Sequence, residues 1–211
     1  MEPIEGLKTT DLTPTKTIEI EGKQILIFDD LFGNEFRESF CFFLLGLDYE
    51  LRKSFDDEFN AVIERGFVNT LPVFSDLFPA LIEKYHSGMT TKPSKQYLSH
   101  AYGAAIKFGD STSIHQDYPC ECCVTFLYYG NYKWNGDWCG ETIFYNSNHD
   151  AVAAVTPKPG RLILFNAALL HRAGVPGKKC PTFRYGFSVF YRCQEALLKT
   201  GWPLEEIQAE E

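Results

Sequence analysis

The sequence has no run of the roughly 18 to 20 consecutive apolar residues that a membrane-spanning helix needs. Its first residues, Met1-Glu-Pro-Ile-Glu5, lack the basic-then-apolar layout of an export signal. No membrane association is expected, and a cytoplasmic address is the default. Positive charge is in deficit too: 20 Lys and Arg stand against 28 Asp and Glu, for a formal net charge of −8 and a pI near 5.2. A chain of that sign has no electrostatic footprint for nucleic acid. Internal repeats and low-complexity tracts are absent, which argues against solenoids, propellers and a second domain. The seven cysteines are an odd set, so reduced thiols are expected in place of a disulfide framework. Cys120, Cys122 and Cys123 lie close enough in sequence to hold zinc, but the second CxxC-like pair of a familiar zinc pattern is missing.

What is present suits one β-rich domain. At 211 residues the chain can bury a substantial core, and 15% aromatic content, with 18 Phe and 11 Tyr, favours strands and a shaped pocket. Residues 1–15 are polar and read as flexible. Thr17–Ile20 and Gln24–Phe28 read as the two strands of a hairpin around Glu21-Gly22-Lys23. Apolar residues at helical spacing, Phe36, Phe40, Phe43, Leu44 and Leu47, predict a helix within Leu31–Leu47 with Asn34 as N-cap. A second helix is expected over Ser75–His86, with Pro79 in its first turn. The charged stretch Asp48–Glu64 between them reads as helix or lid material.

From Pro93 onward the period changes to two: Gln96–Ile106, Val124–Tyr129, Glu141–Tyr145, Ala151–Val155, Arg161–Phe165, Leu169–Ala173 and Phe183–Tyr191 read as short strands of an antiparallel sandwich or barrel. Supporting elements in 16–92, a β-core in 93–193 and a C-terminal extension in 194–211 make up an α+β domain.

Four residues carry chemistry. His115-Gln-Asp117 places an imidazole and a carboxylate at i and i+2, on one face of an extended segment. His171 follows 56 residues after His115, at the end of an apolar run. Two imidazoles and one carboxylate make the facial set that holds non-haem Fe(II) and leaves positions open. In the last strand, Arg184, Gly186 and Ser188 share a parity opposite to Phe183, Tyr185, Phe187, Val189 and Tyr191. A buried guanidinium needs a carboxylate partner, and a ligand can supply it. Residues 151–194 hold seven basic and no acidic side chains, whereas residues 1–60 hold 14 acidic and six basic, so this region would attract a small dianion. His86, His100 and His149 read as structural, Arg161 and Arg172 as rim groups able to meet a substrate carboxylate, and Trp134 and Trp138 as core or pocket wall.

In order along the chain, His115-Gln-Asp117, Val124–Tyr129, Trp138-Cys-Gly-Glu-Thr-Ile-Phe-Tyr145, Pro157-Lys-Pro-Gly-Arg161, His171 and Arg184 resemble the Fe(II)- and 2-oxoglutarate-dependent dioxygenases, in their prolyl-4-hydroxylase-like branch. The resemblance covers roughly 98–192. It implies a double-stranded β-helix (jelly-roll, cupin-like) barrel with N-terminal supporting helices, and His115, Asp117 and His171 as the ligands of Fe(II). It further implies Arg184 as the catalytic-site anchor of 2-oxoglutarate, with Tyr129, Ser188 and Tyr102 as further co-substrate contacts. Phe108 stands where relatives often carry Tyr.

The co-substrates implied are 2-oxoglutarate and O2, with ascorbate as an optional reductant, and the products succinate and CO2. Retention of Asp117 points to oxygenation, desaturation or cyclisation and away from halogenation. The expected substrate is a small molecule, such as an amino acid or natural-product intermediate, under a lid built from 48–69 or 130–137. The alternatives are a peptidyl prolyl substrate, a zinc-dependent hydrolase on the same ligands, and a non-catalytic barrel that binds a small acid.

Overall fold

The computed structural model describes residues 7–8, 11–52, 58–63, 71–90 and 94–199. The element order is β1 (Lys16–Ile20), β2 (Lys23–Phe28), α1 (Asn34–Leu45), β3 (Glu50–Arg52), β4 (Glu58–Ile63), α2 (Pro72–Ser75), α3 (Leu77–Met89), β5 (Gln96–Ile106), β6 (Val124–Tyr129), β7 (Thr142–Tyr145), β8 (Ala151–Val155), β9 (Leu162–Asn166), β10 (Leu170–Ala173), β11 (Arg184–Cys193) and α4 (Gln194–Lys199). All strand pairings are antiparallel. One eight-stranded sheet runs β1-β2-β9-β6-β11-β5-β4-β3, and a three-stranded sheet runs β10-β7-β8.

The large sheet is buried on both faces, which is why its central strands read as nearly continuous apolar runs. Alternation sorts their side chains into two layers. Val124, Phe126 and Tyr128 of β6, Leu162 and Leu164 of β9, and Phe187, Val189 and Tyr191 of β11 pack against the helices. There Phe40 of α1 sits edge-on to Tyr128 and Phe187, at 5.4 and 5.1 Å between centroids, and Phe78 of α3 stacks on Phe126 at 4.0 Å. Leu127, Tyr129, Ile163 and Phe165 turn the other way, toward Phe144 and Val155 of the small sheet. The space between the sheets is where the functional side chains point.

Four expectations change. Residues 50–52 and 58–63 are strands that extend the large sheet beyond β5, where lid or helix was expected; the charges of the surrounding stretch obscured their pairing, β3 with β4 and β4 with β5. The N-cap of α1 is Gly33, without a capping side chain, and Asn34 is instead the first helical residue. The second helical region is two helices broken at Asp76. Within 1–15, the described part is tied down: Leu12 is buried, its carbonyl accepts from the Tyr85 hydroxyl at 2.7 Å, and Leu7 bridges Phe32. Residues 53–57, 64–69 and 200–211, which carry parts of the expected lid and of the C-terminal extension, lie outside the described residues. Among the described residues no helix is long and apolar enough to cross a membrane.

Candidate metal centre and anion anchor

His115 lies in the segment before β6, and His171 on β10. An isolated antiparallel bridge joins them, each backbone N–H donating to the other's carbonyl at 2.9 Å. Their rings are 4.6 Å apart between centroids. The remaining nitrogens are already assigned by the backbone: His115 Nδ1 lies 3.1 Å from the Ser113 carbonyl and His171 Nδ1 2.9 Å from the Leu169 carbonyl. An Nδ1–H donating to a carbonyl leaves Nε2 as a bare lone pair, the tautomer a metal requires. Asp117 Oδ1 stands 3.6 Å from both Nε2 atoms, and the three donor atoms lie within 4.8 Å of one another.

The second carboxylate oxygen is held from behind. Thr125, the inward-facing second residue of β6, donates to Asp117 Oδ2 at 2.7 Å. Burial works to raise the Asp117 pKa, but the charge of His171, the bond and charge of His115 and the Thr125 hydroxyl outweigh it and hold the carboxyl below its ordinary value. Burial in turn lowers His171, against the pull of Asp117. An ionised carboxylate beside neutral imidazoles is the protonation state in which such a set binds a cation. Substituting Thr125 with Val is expected to weaken Fe(II) binding about 10- to 100-fold with the fold retained. Isothermal titration with a redox-stable divalent ion such as Mn2+ checks this.

The inward face of β11 carries Arg184, Gly186 and Ser188. Arg184 is 1% exposed. Its Nε donates to the Gly140 carbonyl at 2.7 Å and one Nη to the Thr142 hydroxyl at 2.9 Å, and its guanidinium lies 5.1 Å over the Tyr129 ring. Among the described residues no carboxylate pairs with it, although a buried cation without an anion is costly. Gly140, at φ +84°, makes this approach possible: a Cβ there would meet Trp134 at 3.0 Å and Arg184 Cδ at 3.4 Å. The Tyr129 hydroxyl is 2.7 Å from Thr142 Oγ1 and donates to the Val155 carbonyl at 3.2 Å, so Tyr129, Thr142 and Arg184 form one buried chain.

One narrow pocket is lined by the triad, Thr125, Thr142, Arg184, Gly186, Ser188 and Tyr102. Thr125 marks its metal end and Tyr129 underlies its cationic end, four residues along β6, or about 13 Å of strand. Tyr102 enters from β5 and stacks on Phe190 at 5.3 Å. Of the residues expected to meet the co-substrate, Tyr102, Arg184 and Ser188 line the pocket; Tyr129 lies behind Arg184 with its hydroxyl engaged by Thr142 and Val155.

Thr125 and Thr142 escape sequence reasoning, because a threonine in a strand passes as a β-former. The available signal was parity: Thr125 shares its face with Leu127 and Tyr129. Two candidates leave the site. Arg161 grips Asp29 with two bonds, at 2.7 and 2.9 Å, and gives a third to the Thr156 carbonyl. Arg172 follows His171 on β10 and so projects from the opposite face, over the Tyr145 ring. Phe108 is exposed, and His86 bonds the Cys122 carbonyl at 2.8 Å. His100 stacks on Phe190, while His149 occupies a turn at φ +65°. Trp134 packs edge to face with Trp138 and lies against Gly140, so it backs the loop that meets Arg184.

The chain has the fold of 2-oxoglutarate-Fe(II) oxygenase structures. Among its structural neighbours, a Pseudomonas putida prolyl-4-hydroxylase superposes with a TM-score of 0.64 at 13% identity, over 81% of this chain and 92% of the other. A Trichoplax adhaerens prolyl hydroxylase, solved with a hypoxia inducible factor oxygen degradation domain peptide, gives 0.58 at 19% identity, over 83% and 86%. HygX from Streptomyces hygroscopicus, solved with nickel and 2-oxoglutarate, gives 0.59 at 16% identity, over 82% and 84%. No family profile and no curated protein sequence matches the chain.

Proposed function

We propose that the two sheets close as a double-stranded β-helix and that the protein is an Fe(II)- and 2-oxoglutarate-dependent oxygenase of a small-molecule substrate. The observation that carries this is the pairing, in one pocket, of a two-histidine, one-carboxylate set with a buried arginine that no carboxylate of the described residues neutralises. A hydrolytic zinc site has no use for that arginine, and an acid-binding barrel has none for the triad.

The donor set fits iron: two neutral nitrogens and one anionic oxygen suit Fe(II), and three ligands on one side leave the other side open. When bound, iron with 2-oxoglutarate and O2 supplies oxidative decarboxylation, yielding succinate and CO2 and oxidising an unactivated C–H bond. The chain's part is to orient and to exclude water. His115, Asp117 and His171 hold the metal, Thr125 keeps Asp117 Oδ2 away from it, and Arg184, steadied by Gly140 and Thr142, takes the distal carboxylate of the co-substrate. Leu127 and Phe165 make the intervening wall apolar. The likeness to HygX, also solved with hygromycin B bound, supports a small-molecule substrate; the likeness to prolyl hydroxylases supports the competing one, a prolyl residue in a protein.

Anaerobic titration with Fe(II) and then 2-oxoglutarate tests the chemistry: a visible charge-transfer band is expected, and its absence removes the proposal. Succinate release against amino acids, aminoglycosides and proline-containing peptides separates the substrates. Gly186→Val offers a second check. A Cβ at this position already lies 3.3 Å from Leu127 Cδ1 and 3.5 Å from Arg184 Nη1, so a branched side chain fills the channel. The expected result is loss of the 2-oxoglutarate-dependent band with Mn2+ binding at the triad retained, read by titration.

A further inference from the structure

A second group of metal-ligating side chains lies outside the pocket. Cys120, Cys122 and Cys123 form the turn leading into β6, closed by the Cys123 N–H donating to the Cys120 carbonyl at 3.1 Å. β11 ends at Cys193, and continuing its register with β6, in which Tyr191 faces Val124, sets Cys193 opposite Cys122. Chain reversal thus brings together cysteines 71 residues apart. All four sulfurs lie within 4.8 Å of one another. Cys122 and Cys193 are in bonding contact, and Cys120 Sγ is 2.7 Å from Cys122 Sγ and 3.8 Å from Cys193 Sγ. A Cys122–Cys193 disulfide uses two of these sulfurs and leaves Cys120 and Cys123, which the turn carries to the same point, as thiols beside it. A single tetrahedral ion accounts for all four.

We propose that in its reduced form this cluster is a structural zinc site, Cys120-Cys122-Cys123-Cys193. Zn–S bonds of about 2.3 Å set sulfurs about 3.8 Å apart. The Cys120–Cys193 pair already has that spacing; Cys120 and Cys122 need to part by about 1 Å, and Cys122 and Cys193, in bonding contact, have to separate further once reduced. Four cysteine sulfurs and no open position make a closed site, which is structural and not catalytic.

A four-thiolate zinc centre carries two net negative charges. Burial pushes the Cys123 thiol up, and the Cys193 backbone N–H and Arg192 act against that rise, while Lys199 couples electrostatically to Cys120. Of the neighbouring acids, Glu121 is engaged by Lys23 at 3.3 Å and Glu195 by Lys199 at 2.6 Å. From behind, His86 holds the Cys122 carbonyl. Cys123 and Cys193 are 0% and 2% exposed, whereas Cys120 borders a surface cleft of about 630 Å³ that gives an ion its way in. Loading releases one proton from each thiol as its sulfur binds. Reaching the reduced form from a Cys122–Cys193 disulfide takes two electrons and two protons from an external thiol reductant, which becomes a disulfide. The ion would fasten the end of β11 to the segment that begins three residues after Asp117.

The test is metal content by mass spectrometry of protein produced with zinc under reducing conditions. His115→Ala/His171→Ala serves as the background, so that zinc in the triad is not counted. One zinc per chain is expected in that background, and none after adding Cys193→Ser or, should that variant fail to fold, the partly exposed Cys120→Ser. Cobalt substitution of the same background should give an intense sulfur-to-cobalt charge-transfer absorption. A metal-free background protein holding a Cys122–Cys193 disulfide, or zinc retained at full occupancy in a folded cysteine variant, overturns the proposal. Because the background lacks two triad ligands, these results do not depend on the oxygenase assignment.

Discussion

Arg184→Ala is expected to raise the 2-oxoglutarate concentration needed for half-maximal turnover by roughly 10²- to 10³-fold while Fe(II) still binds. Truncating one member of a buried charge pair costs about 3–4 kcal/mol, and each 1.4 kcal/mol is tenfold. The effect should be confined to the co-substrate, because the guanidinium bonds Gly140 and Thr142 and no triad residue. Arg184→Lys should fall between, since an ammonium keeps the charge and loses the planar fork. Steady-state assays at varied 2-oxoglutarate, paired with Mn2+ titration, measure both halves of the statement. A wild-type requirement in Arg184→Ala would take the anchor role away from this residue.

Asp117→Ala should act at the other end of the pocket and more severely. On the proposed assignment it removes the one anionic ligand and leaves two imidazoles, with the Thr125 hydroxyl stripped of the acceptor it meets at 2.7 Å. Turnover is expected to fall by about 10³-fold or more, on the scale of losing several kcal/mol of stabilisation at the reacting centre, and metal affinity to fall with it. The two substitutions therefore have opposite signatures: one weakens co-substrate at constant metal, the other weakens metal itself. Comparable turnover in Asp117→Ala and the wild type would show that the carboxylate does not hold the catalytic ion.

The legible part of this protein was what short-range pattern encodes. His115 and Asp117 two apart, the inward parity of Arg184, Gly186 and Ser188, and the period-two strands from β5 onward all follow from local spacing. What escaped depends on distant partners. Arg161 looked available until Asp29, 132 residues away, claimed both of its outer bonds. Residues 58–63 looked like charged lid material because the charges around them masked their own period-two pattern of Phe59, Ala61 and Ile63, which pairs with β5. Thr125 and Thr142 each commit a hydroxyl to a neighbour's charge; strand parity marks only the inward face of Thr125, and nothing local names the partner of either. Cys193 reads as a lone thiol until β11 is laid beside β6.

The reciprocal backbone bonds between His115 and His171 bear on how the proposed site would meet its metal. Because the two imidazoles are indexed to each other by main-chain geometry, their separation is settled when the polypeptide folds, and an arriving ion has little left to order. On the proposed ligand assignment, stripping and reloading the ion is expected to be a local exchange that leaves the surrounding scaffold standing.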